Sequence, residues 1–397
     1  MKAVVFHGIG DIRLDKVHDP KLKDPTDAIV RLTANAICGT DLHMIRGTFP
    51  GMEPGTILGH ESARTSATST SATASSSPPP SPAARARNCR AGYSSQCDEA
   101  NPNGKDAGTA FFGGPKPSGP FQGLQAEYAR VPFAHADLVE LPPEVSDDQA
   151  ILISDIFPSA YFGANIANIQ PGETVAVFGC GPVGQFAIAS AHLLGAGRIL
   201  AIDTVASRLA MARAQGAEVI DFNEEDPVEA TRRLTNKIGV DRAIDAVGVD
   251  AVAPHQGPAA KVAKLEAKQH EQEVQEVAPK TNPDGVNWIP GDAPSQVLSW
   301  AVQGLAKAGT LSIIGVYPET ARFFPIGIAM NKNLTLRMGN CPHRKYLPKL
   351  VGMVRSGLID PLKILTQREP LTDVIAAYKA FDTRQPGWIK VELQPAS

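Results

Sequence analysis

Thiol and imidazole side chains in the first part of the chain could together bind a metal ion. Cys38 opens the stretch Cys-Gly-Thr-Asp-Leu-His after a predicted strand, and the triplet Gly-His-Glu follows with His60 and Glu61. A thiolate and an imidazole are ligands that zinc prefers. Read one at a time, the same residues also fit packing roles, Cys38 as a small buried apolar side chain and His60 as a hydrogen-bonded loop histidine. These residues alone leave both interpretations open.

A glycine-rich turn lies where a dinucleotide-binding motif is needed. Residues 179–184 read GCGPVG, and they follow the predicted buried strand ETVAVF and open a predicted helix. In the pattern G-x-G-x-x-G the first glycine makes the tight turn, the second lets a pyrophosphate approach the backbone, and the third allows close helix packing. The first N–H groups of the helix then face the phosphates. The predicted cofactor contacts in this turn are Gly179, Gly181, Pro182, Val183 and Gly184.

An acidic residue ends the strand that follows this helix. Asp203 is the last residue of RILAID, where a carboxylate accepts hydrogen bonds from the adenosine ribose. Two unit charges about 4 Å apart interact by roughly 4 kcal/mol at an effective dielectric of 20, so Asp203 disfavours a 2′-phosphate. Arg208 is the nearby cation that would soften this repulsion. We therefore predict NAD as the cofactor; a glycine turn with a helix-capping aspartate is the structural alternative.

The elements around these residues predict two domains of different construction. Residues 1 to about 145 read as short alternating strands separated by Gly- and Pro-rich loops, which is typical of a mainly β domain. From about residue 172, strands alternate with helices, which predicts βαβ units and a parallel sheet. The expected fold class is α/β, a doubly wound Rossmann sheet plus a mainly β domain.

One stretch interrupts the alternation. Residues 249–294 contain AKVAKLEAKQHEQEVQEV, a helical segment with a thin apolar stripe. The stripe consists of Val262, Leu265, Val274 and Val277. We expect a solvated surface insertion, with a dedicated binding element as the alternative; a surface insertion could also contribute to subunit packing.

Composition excludes several classes of function. The chain has 397 residues, 43% of them hydrophobic, and a net charge of -3, so it offers no basic field for nucleic acid or an anionic membrane. The N-terminal MKAVVFHGIGDIRL alternates like a strand rather than a signal peptide, and no apolar run is long enough to span a membrane. We expect a cytoplasmic protein. Five cysteines, an odd number, argue against a disulfide framework.

A low-complexity stretch separates the His60 region from two further cysteines. Residues 62–87 contain only Ser, Ala, Thr, Pro and Arg, and Cys89 and Cys97 follow. Such a composition is typical of a linker without a packed core, so residues 62–100 are expected to be disordered. The usual codons of Ser, Pro, Thr and Ala share a middle C. We therefore favour the hypothesis that compensating frame shifts produced this stretch, with a real linker as the alternative.

Together these motifs resemble the zinc-dependent medium-chain alcohol dehydrogenase family. The resemblance rests on C-G-T-D-x-H, G-H-E, C-R-A-G-x-x-x-x-C and G-x-G-x-x-G with its acid, and it extends over nearly the whole chain. Residues 153–158, ISDIFP, resemble the branch containing glutathione-independent formaldehyde dehydrogenases, in which an aspartate replaces the usual third cysteine ligand. The resemblance implies a GroES-like catalytic domain from residues 1–156 and 336–397, and a Rossmann domain from residues 157–335 that carries the insertion.

The same resemblance implies the roles of the site residues. The implied ligands of the catalytic zinc are Cys38, His60 and Asp155. Thr40 and His43 would relay the substrate proton outward, and Glu61 would tune the charge beside a ligand. Cys89 and Cys97 match the last two cysteines of a four-cysteine lobe that holds a structural zinc in the family. Since the first two are missing here, we expect one zinc per chain.

The expected reaction is hydride transfer between NAD and a small alcohol or an aldehyde hydrate such as hydrated formaldehyde. Phe49, Phe157 and Tyr161 would give the substrate pocket an apolar lining. By resemblance, the expected assembly is a homodimer or homotetramer. Two alternatives remain open: a zinc-free quinone reductase of the same superfamily, and a non-catalytic NAD-binding protein damaged in residues 62–87.

Overall fold

The chain forms two compact units in a computed structural model that describes residues 1–65, 71–74, 87–101, 103–104, 108–119, 121–278, 288 and 290–395. The first unit comprises Met1–Pro158, Lys280–Ile289 and Asn340–Ser397, and the second comprises Ser159–Pro279 and Pro290–Gly339. Trp288, from the predicted insertion, is buried in the core of the first unit, where its ring lies 6.3 Å from that of Tyr378.

The strands and helices of the described residues follow one another in this order. The strands are β1 Lys2–Gly8, β2 Asp11–Lys16, β3 Ala28–Ile37, β4 Ser62–Thr65, β5 Ser71–Ala74, β6 Tyr128–Val131, β7 Leu138–Glu140, β8 Thr174–Phe178, β9 Arg198–Asp203, β10 Glu218–Asp221, β11 Val240–Asp245, β12 Leu305–Ile313, β13 Thr335–Met338, β14 Gln367–Pro370 and β15 Val391–Gln394. The helices are α1 Gly39–Arg46, α2 Arg87–Arg90, α3 Ala134–Asp137, α4 Asp147–Ser154, α5 Ile156–Ile166, α6 Pro182–Leu193, α7 Ala206–Ala214, α8 Pro227–Leu234, α9 Ala259–Val277, α10 Gln296–Gly304, α11 Ile326–Asn331, α12 His343–Arg355 and α13 Val374–Asp382. Short 3₁₀ turns lie at Ser94–Gln96, Lys116–Ser118, Gly248–Asp250, Pro361–Ile364 and Leu371–Asp373.

The first unit is built on a mixed sheet with the strand order β14-β15-β3-β4-β5-β7, and β6 also pairs with β3. β3 is the central strand because its sequence, AIVRLTANAI, places apolar side chains such as Val30 and Leu32 in the core. Its partners β4, β6 and β15 run antiparallel to it. The mainly β domain predicted from the sequence is confirmed.

The expectation of disorder across residues 62–100 is wrong for the residues that the structure describes. β4 pairs with β3 from Asn35 to Arg31, and β5 joins β4 to β7. Strand pairing satisfies the backbone N–H and C=O groups whatever the side chains are, and the small side chain of Ala63 is fully buried. Residues 66–70 and 75–86, the larger part of the low-complexity stretch, lie outside the described residues.

The second unit is a parallel sheet with the strand order β10-β9-β8-β11-β12-β13. Counted from β8, this is the order 3-2-1-4-5-6 of a doubly wound dinucleotide-binding sheet. Its central strands β8 and β9 are apolar runs buried on both faces, as the fully buried Val175, Ala176 and Val177 of β8 show. The order reverses between β8 and β11, and ligands bind at the carboxyl ends of strands at such a switch point. The predicted Rossmann sheet is confirmed.

The buried face of helix α9 differs from the apolar stripe that the sequence predicted for the insertion. Val262 and Leu265 are 48% and 86% exposed. The side chains that pack inward are instead Ala259, Ala260, Ala263, His270, Glu273 and Val277. Small alanines allow close packing, and the polar members of this face have partners, since Glu273 accepts hydrogen bonds from Gln269 and from the backbone of Ser295. In the described part of the chain, every helix is too short or too polar to cross a membrane.

Candidate active site

Four potential ligand side chains meet inside the first unit. The sulfur of Cys38, the ring of His60 and carboxylate oxygens of Glu61 and Asp155 all lie within 4.8 Å of one another. Among the described residues this is the one group of three or more such side chains. These residues lie at or near the ends of strands and helices. Cys38 follows β3, His60 and Glu61 precede β4, and Asp155 lies between α4 and α5. The structure thus brings together the three predicted zinc ligands.

Cys38 is held at the first turn of α1. It is the N-cap residue with extended backbone, and its N–H donates to Asp41 Oδ2 over 3.0 Å. Burial and the neighbouring Glu61 carboxylate raise the pKa of the Cys38 thiol in the metal-free chain. Thr40 Oγ1 lies 3.9 Å from the Cys38 sulfur, so the hydroxyl predicted to take the substrate proton borders the cluster.

The ring orientation of His60 is fixed by Asp41. His60 Nδ1 lies 2.9 Å from Asp41 Oδ1, and a carboxylate can only accept, so Nδ1 carries the proton. Nε2 is buried, makes no hydrogen bond and lies 3.4 Å from Asp155 Oδ2, and it presents a lone pair whenever the ring is neutral. Burial lowers the pKa of His60, but Asp41, Cys38 and Asp155 raise it well above its ordinary value. A metal ion would take the place of the proton at Nε2.

Asp155 is held by a histidine that the sequence interpretation missed. His343 Nε2 lies 2.6 Å from Asp155 Oδ1, and the other oxygen, Oδ2, lies 3.4 Å from His60 Nε2. Burial raises the pKa of Asp155, but His343 and His60 lower it well below its usual value. Burial lowers the pKa of His343, whereas Cys341 and Asp155 raise it to about 10. Asp155 is therefore a carboxylate even before a cation binds.

Glu61 forms a fully buried ion pair with Lys390, which immediately precedes β15. The Lys390 ammonium group donates to Glu61 Oε2 and to the backbone oxygen of Ile37, 3.1 Å away. Burial raises the pKa of Glu61 to about 7, against the lowering effect of Lys390. Burial lowers the pKa of Lys390, but Glu61 and Cys38 raise it above its ordinary value. The second oxygen, Glu61 Oε1, is buried and makes no hydrogen bond.

The donor set fits zinc. Sulfur, imidazole nitrogen and carboxylate oxygen are the three ligand types that zinc accepts, and three protein ligands leave a fourth position for substrate. Unpaired buried polar atoms are costly without a partner, and His60 Nε2 in the cluster is such an atom. Cys38, His60 and Asp155 would hold the ion, and Glu61 would lie beside it.

The other predicted residues of the first unit lie in or around these elements. His43 is buried on α1, with its ring centroid 6.0 Å from that of Phe49. Cys89 and Cys97 both contact a small apolar cluster with Ala100 and Ala110. Among the described residues, no third ligand side chain joins these two cysteines.

The glycine loop of the second unit has the shape that the motif requires. Gly179 has φ +83°, and a Cβ there would lie 2.4 Å from the Val247 side chain. A Cβ on Gly184 would lie 1.8 Å from the oxygen of Gly179, so helix α6 can approach β8 only with glycine at this position. Among the described residues, a Cβ on Gly181 would instead have only Arg208 near it, at 3.9 Å. The open backbone at Gly181 fits a pyrophosphate.

Asp203 anchors this loop from the end of β9. Its Oδ2 accepts from the N–H of Cys180 over 2.7 Å, and its Oδ1 accepts from the N–H groups of Thr204 and Val205. Arg208 Nη1 lies 3.9 Å from Oδ2. Pro182 and Val183 begin α6, and the first N–H groups of a helix have no partner within the helix. The carboxylate predicted to bind the ribose is thus also a support of the glycine turn.

Comparison with known proteins assigns both units. Residues 24–143 match the alcohol dehydrogenase GroES-like domain, and residues 182–256 match the zinc-binding dehydrogenase domain. An uncharacterized zinc-type alcohol dehydrogenase-like protein of Bacillus subtilis is 32% identical over 100% of both chains. The chain belongs to the zinc-dependent medium-chain alcohol dehydrogenase family. It is therefore an oxidoreductase with a zinc and a nicotinamide cofactor, and the expected family is confirmed.

Two further relatives of this dehydrogenase cover nearly its full length. A glutathione-independent formaldehyde dehydrogenase of Pseudomonas aeruginosa is 32% identical over 97% of this chain and 96% of its own. The structure of alcohol dehydrogenase TADH from Thermus sp. ATN1 superposes with a TM-score of 0.78 at 30% identity, covering 100% of both chains.

Several residues that organise the dehydrogenase's metal centre were not predicted from the sequence. Asp41 orients His60, and Gln125 bridges Asp41 and Tyr378, donating to Asp41 Oδ2 over 3.4 Å and accepting from the Tyr378 hydroxyl over 2.9 Å. A signal for one of the missed residues exists: Lys390 interrupts WIKVEL, a run that otherwise reads as a buried strand. His343 carries no such signal, because it lies in the polar stretch CPHRKY.

Proposed function

We propose that this dehydrogenase transfers hydride from a small primary alcohol, or from an aldehyde hydrate such as hydrated formaldehyde, to NAD. The observation that carries the proposal is the buried cluster of Cys38, His60 and Asp155, with the lone pair of His60 Nε2 directed into it. An aspartate in the third ligand position, as in the formaldehyde dehydrogenase branch, supports this substrate class. So does the 32% identity to the Pseudomonas aeruginosa enzyme.

Zinc bound by these ligands supplies Lewis acidity, which lowers the pKa of a substrate hydroxyl. The chain's own residues do the remaining work on the proton. Thr40 Oγ1, at the edge of the cluster, accepts the hydroxyl proton and donates its own onward. His43, on the same helix, takes the proton away from the buried site. Asp41 keeps the Nδ1 proton of His60, so that the ring stays in the metal-binding tautomer.

The glycine loop and α6 would hold the pyrophosphate of the nicotinamide cofactor. Backbone N–H groups at the start of α6 would donate to phosphate oxygens, since in the described part of the chain the Arg208 guanidinium alone approaches a Cβ on Gly181, at 3.9 Å. The carboxylate of Asp203 favours NAD over NADP through charge repulsion. Arg208, 3.9 Å from that carboxylate, already offsets part of its charge, so the preference is moderate.

The remaining parts of the proposal concern location and assembly. We place the protein in the cytoplasm, as a homodimer or homotetramer without nucleic-acid or membrane partners. The cluster of four potential ligands disfavours two alternative functions, a zinc-free quinone reductase and a non-catalytic NAD-binding protein. Neither function would use these buried ligand atoms.

Substitution of one ligand tests the proposed function. Cys38→Ser removes the thiolate, and we expect turnover of a small-alcohol panel with NAD to fall at least about a thousandfold, since Lewis-acid catalysis supplies several kcal/mol. NADH binding, followed by fluorescence, should change less than about twofold, because the cofactor loop keeps its local packing. The matched control is Cys97→Ser, which removes a buried thiol outside the cluster. Wild-type turnover in zinc-free Cys38→Ser protein would refute the proposal.

A further inference from the structure

We propose that His343 is a positioning residue that holds the third metal ligand, Asp155, so that only one carboxylate oxygen faces the ion. The inference deepens the proposed function and rests on it, because it concerns how the zinc of that site is held. No motif in the sequence marks His343 for this role. The structure assigns it through three distances and the burial of the ring.

Both ring nitrogens of His343 face acceptors. Nε2 lies 2.6 Å from Asp155 Oδ1, and Nδ1 lies 3.0 Å from the backbone oxygen of Cys341. A carbonyl oxygen and a carboxylate oxygen can only accept hydrogen bonds, so each ring nitrogen faces a group to which it can donate. His343 is 3% exposed at the start of α12. The ring is thus fixed at both ends.

This arrangement directs one oxygen of Asp155 towards the ligand cluster. Oδ1 is engaged by His343, whereas Oδ2 lies 3.4 Å from His60 Nε2, within the ligand cluster. Asp155 is also held by the chain, since it is the single residue between α4 and α5. A carboxylate in this setting offers one oxygen to the ion. Loss of the bond to His343 removes the contact that holds Oδ1 away from the cluster, and we expect the carboxylate then to offer both oxygens to the ion.

The number of oxygens matters for the reaction. A catalytic zinc needs a position that the protein leaves open for substrate, and a second Asp155 oxygen would occupy it. Partners behind metal ligands typically change metal affinity by about 10–100-fold when they are removed. His343 therefore protects both the open position and the strength of binding.

Cobalt(II) substitution tests the role of His343 by a readout that does not depend on turnover. Four-coordinate cobalt absorbs visible light more strongly than five-coordinate cobalt, so the spectrum reports the number of ligands. The variants are His343→Phe, which removes both donors, and His343→Gln, which keeps one donor for Asp155. We expect His343→Phe to lose most of the intensity and to bind cobalt about 10–100-fold more weakly. His343→Gln should recover most of both.

A matched control separates positioning from the general effect of removing a buried histidine. His270 on α9 is equally buried, at 3% exposure, and belongs to the second unit. His270→Phe should leave the cobalt spectrum and affinity unchanged. If His343→Phe does not fold, His343→Asn serves instead, since its shorter side chain is polar but cannot reach both acceptors.

The outcomes distinguish this inference from the proposed function. An unchanged spectrum and affinity in His343→Phe or His343→Asn, with normal uptake by the wild type, would overturn the role of His343 alone. A wild-type chain that takes up no cobalt would overturn the metal site itself, and with it the proposed function.

Discussion

The metal cluster and the glycine loop are built in opposite ways along the chain. The glycine loop and its supports lie between Gly179 and Arg208, on consecutive elements of one βαβ unit. The metal cluster and its supporting residues come from positions between Cys38 and Lys390. Within this set, the ion pair of Glu61 and Lys390 joins residues that are 329 positions apart. One site is local and the other is assembled by the tertiary fold.

Different forces hold the two sites. The loop is shaped by steric contact, because a Cβ at Gly179 or Gly184 would lie within 2.4 Å of another atom. The cluster is shaped by buried charges, since Asp41, Glu61 and Lys390 are fully buried and each has a partner of opposite charge or a donor. Steric fit at a loop can be changed one residue at a time. Buried charges must be changed in pairs, because a charge left alone is costly.

The largest expected effect breaks a pair in the cluster. Lys390→Met leaves Glu61 buried without its cation, and we expect the free energy of unfolding to fall by about 3–5 kcal/mol at pH 8. Without Lys390 the pKa of Glu61 should rise further above its present value of about 7, so the folded variant binds a proton that the unfolded chain does not. Stability should therefore fall as pH rises from about 5 to 8. Urea unfolding at several pH values measures this.

The double variant Lys390→Met with Glu61→Gln is the control for that experiment. Removing both charges should restore most of the lost stability, since two neutral groups are left where one charge was buried alone. Equal stability of the single and double variants would show that the pair is not what holds this part of the cluster.

Steric crowding in the loop gives the next largest effect. Gly184→Ala places a Cβ 1.8 Å from the Gly179 oxygen, so α6 must shift, and overpacking of this kind costs about 1–3 kcal/mol. We expect NADH affinity to fall about tenfold to a hundredfold, while zinc content stays unchanged. Gly327→Ala is the matched control, because a Cβ there meets no atom of the described residues within 4 Å. Fluorescence titration with NADH measures the affinity of each variant. Equal NADH affinities in Gly184→Ala and Gly327→Ala would contradict the steric argument.

Cofactor preference is a smaller effect. The wild-type protein should use NAD at least about tenfold better than NADP by kcat/KM, because Asp203 repels a 2′-phosphate. The Arg208 guanidinium offsets part of the Asp203 charge. We therefore expect Arg208→Leu to increase the ratio of kcat/KM for NAD to that for NADP by a further factor of a few. Equal use of both cofactors by the wild type would show that Arg208, rather than Asp203, dominates the field at this strand end.

Zinc stoichiometry gives the smallest difference, a factor of two. Cys89 and Cys97 supply only two of the four thiolates that the family's structural zinc requires. We expect about one zinc per chain by elemental analysis of protein whose sequence has been verified, since a structural site is closed by four ligands. Two tightly held ions per chain would contradict this. Cys38→Ser should reduce the content further, towards none.

The contrast between the sites also explains which parts were predictable from the sequence. The strand, loop, helix and acid from Thr174 to Asp203 follow one another in the chain, so their pattern alone predicted the site. Cys38 and His60 were ambiguous without the family resemblance, and Asp155 was reached only through it. His343 and Lys390 could not be predicted, because pairing of residues hundreds of positions apart depends on packing that periodicity does not encode. The low-complexity composition of β4 and β5 predicted disorder, but these residues pair in the sheet, because strand pairing depends on context more than on composition.

The large separation in sequence between Glu61 and Lys390 affects the order of events during translation. Chains emerge at about 5–20 residues per second, so the 329 positions between the two residues take on the order of tens of seconds to translate. Through that interval the nascent first unit holds Cys38, His60 and Glu61 without the ammonium group that neutralises Glu61. The ion pair that neutralises Glu61 beside the ligand cluster can therefore form only after the tail of the chain has been made.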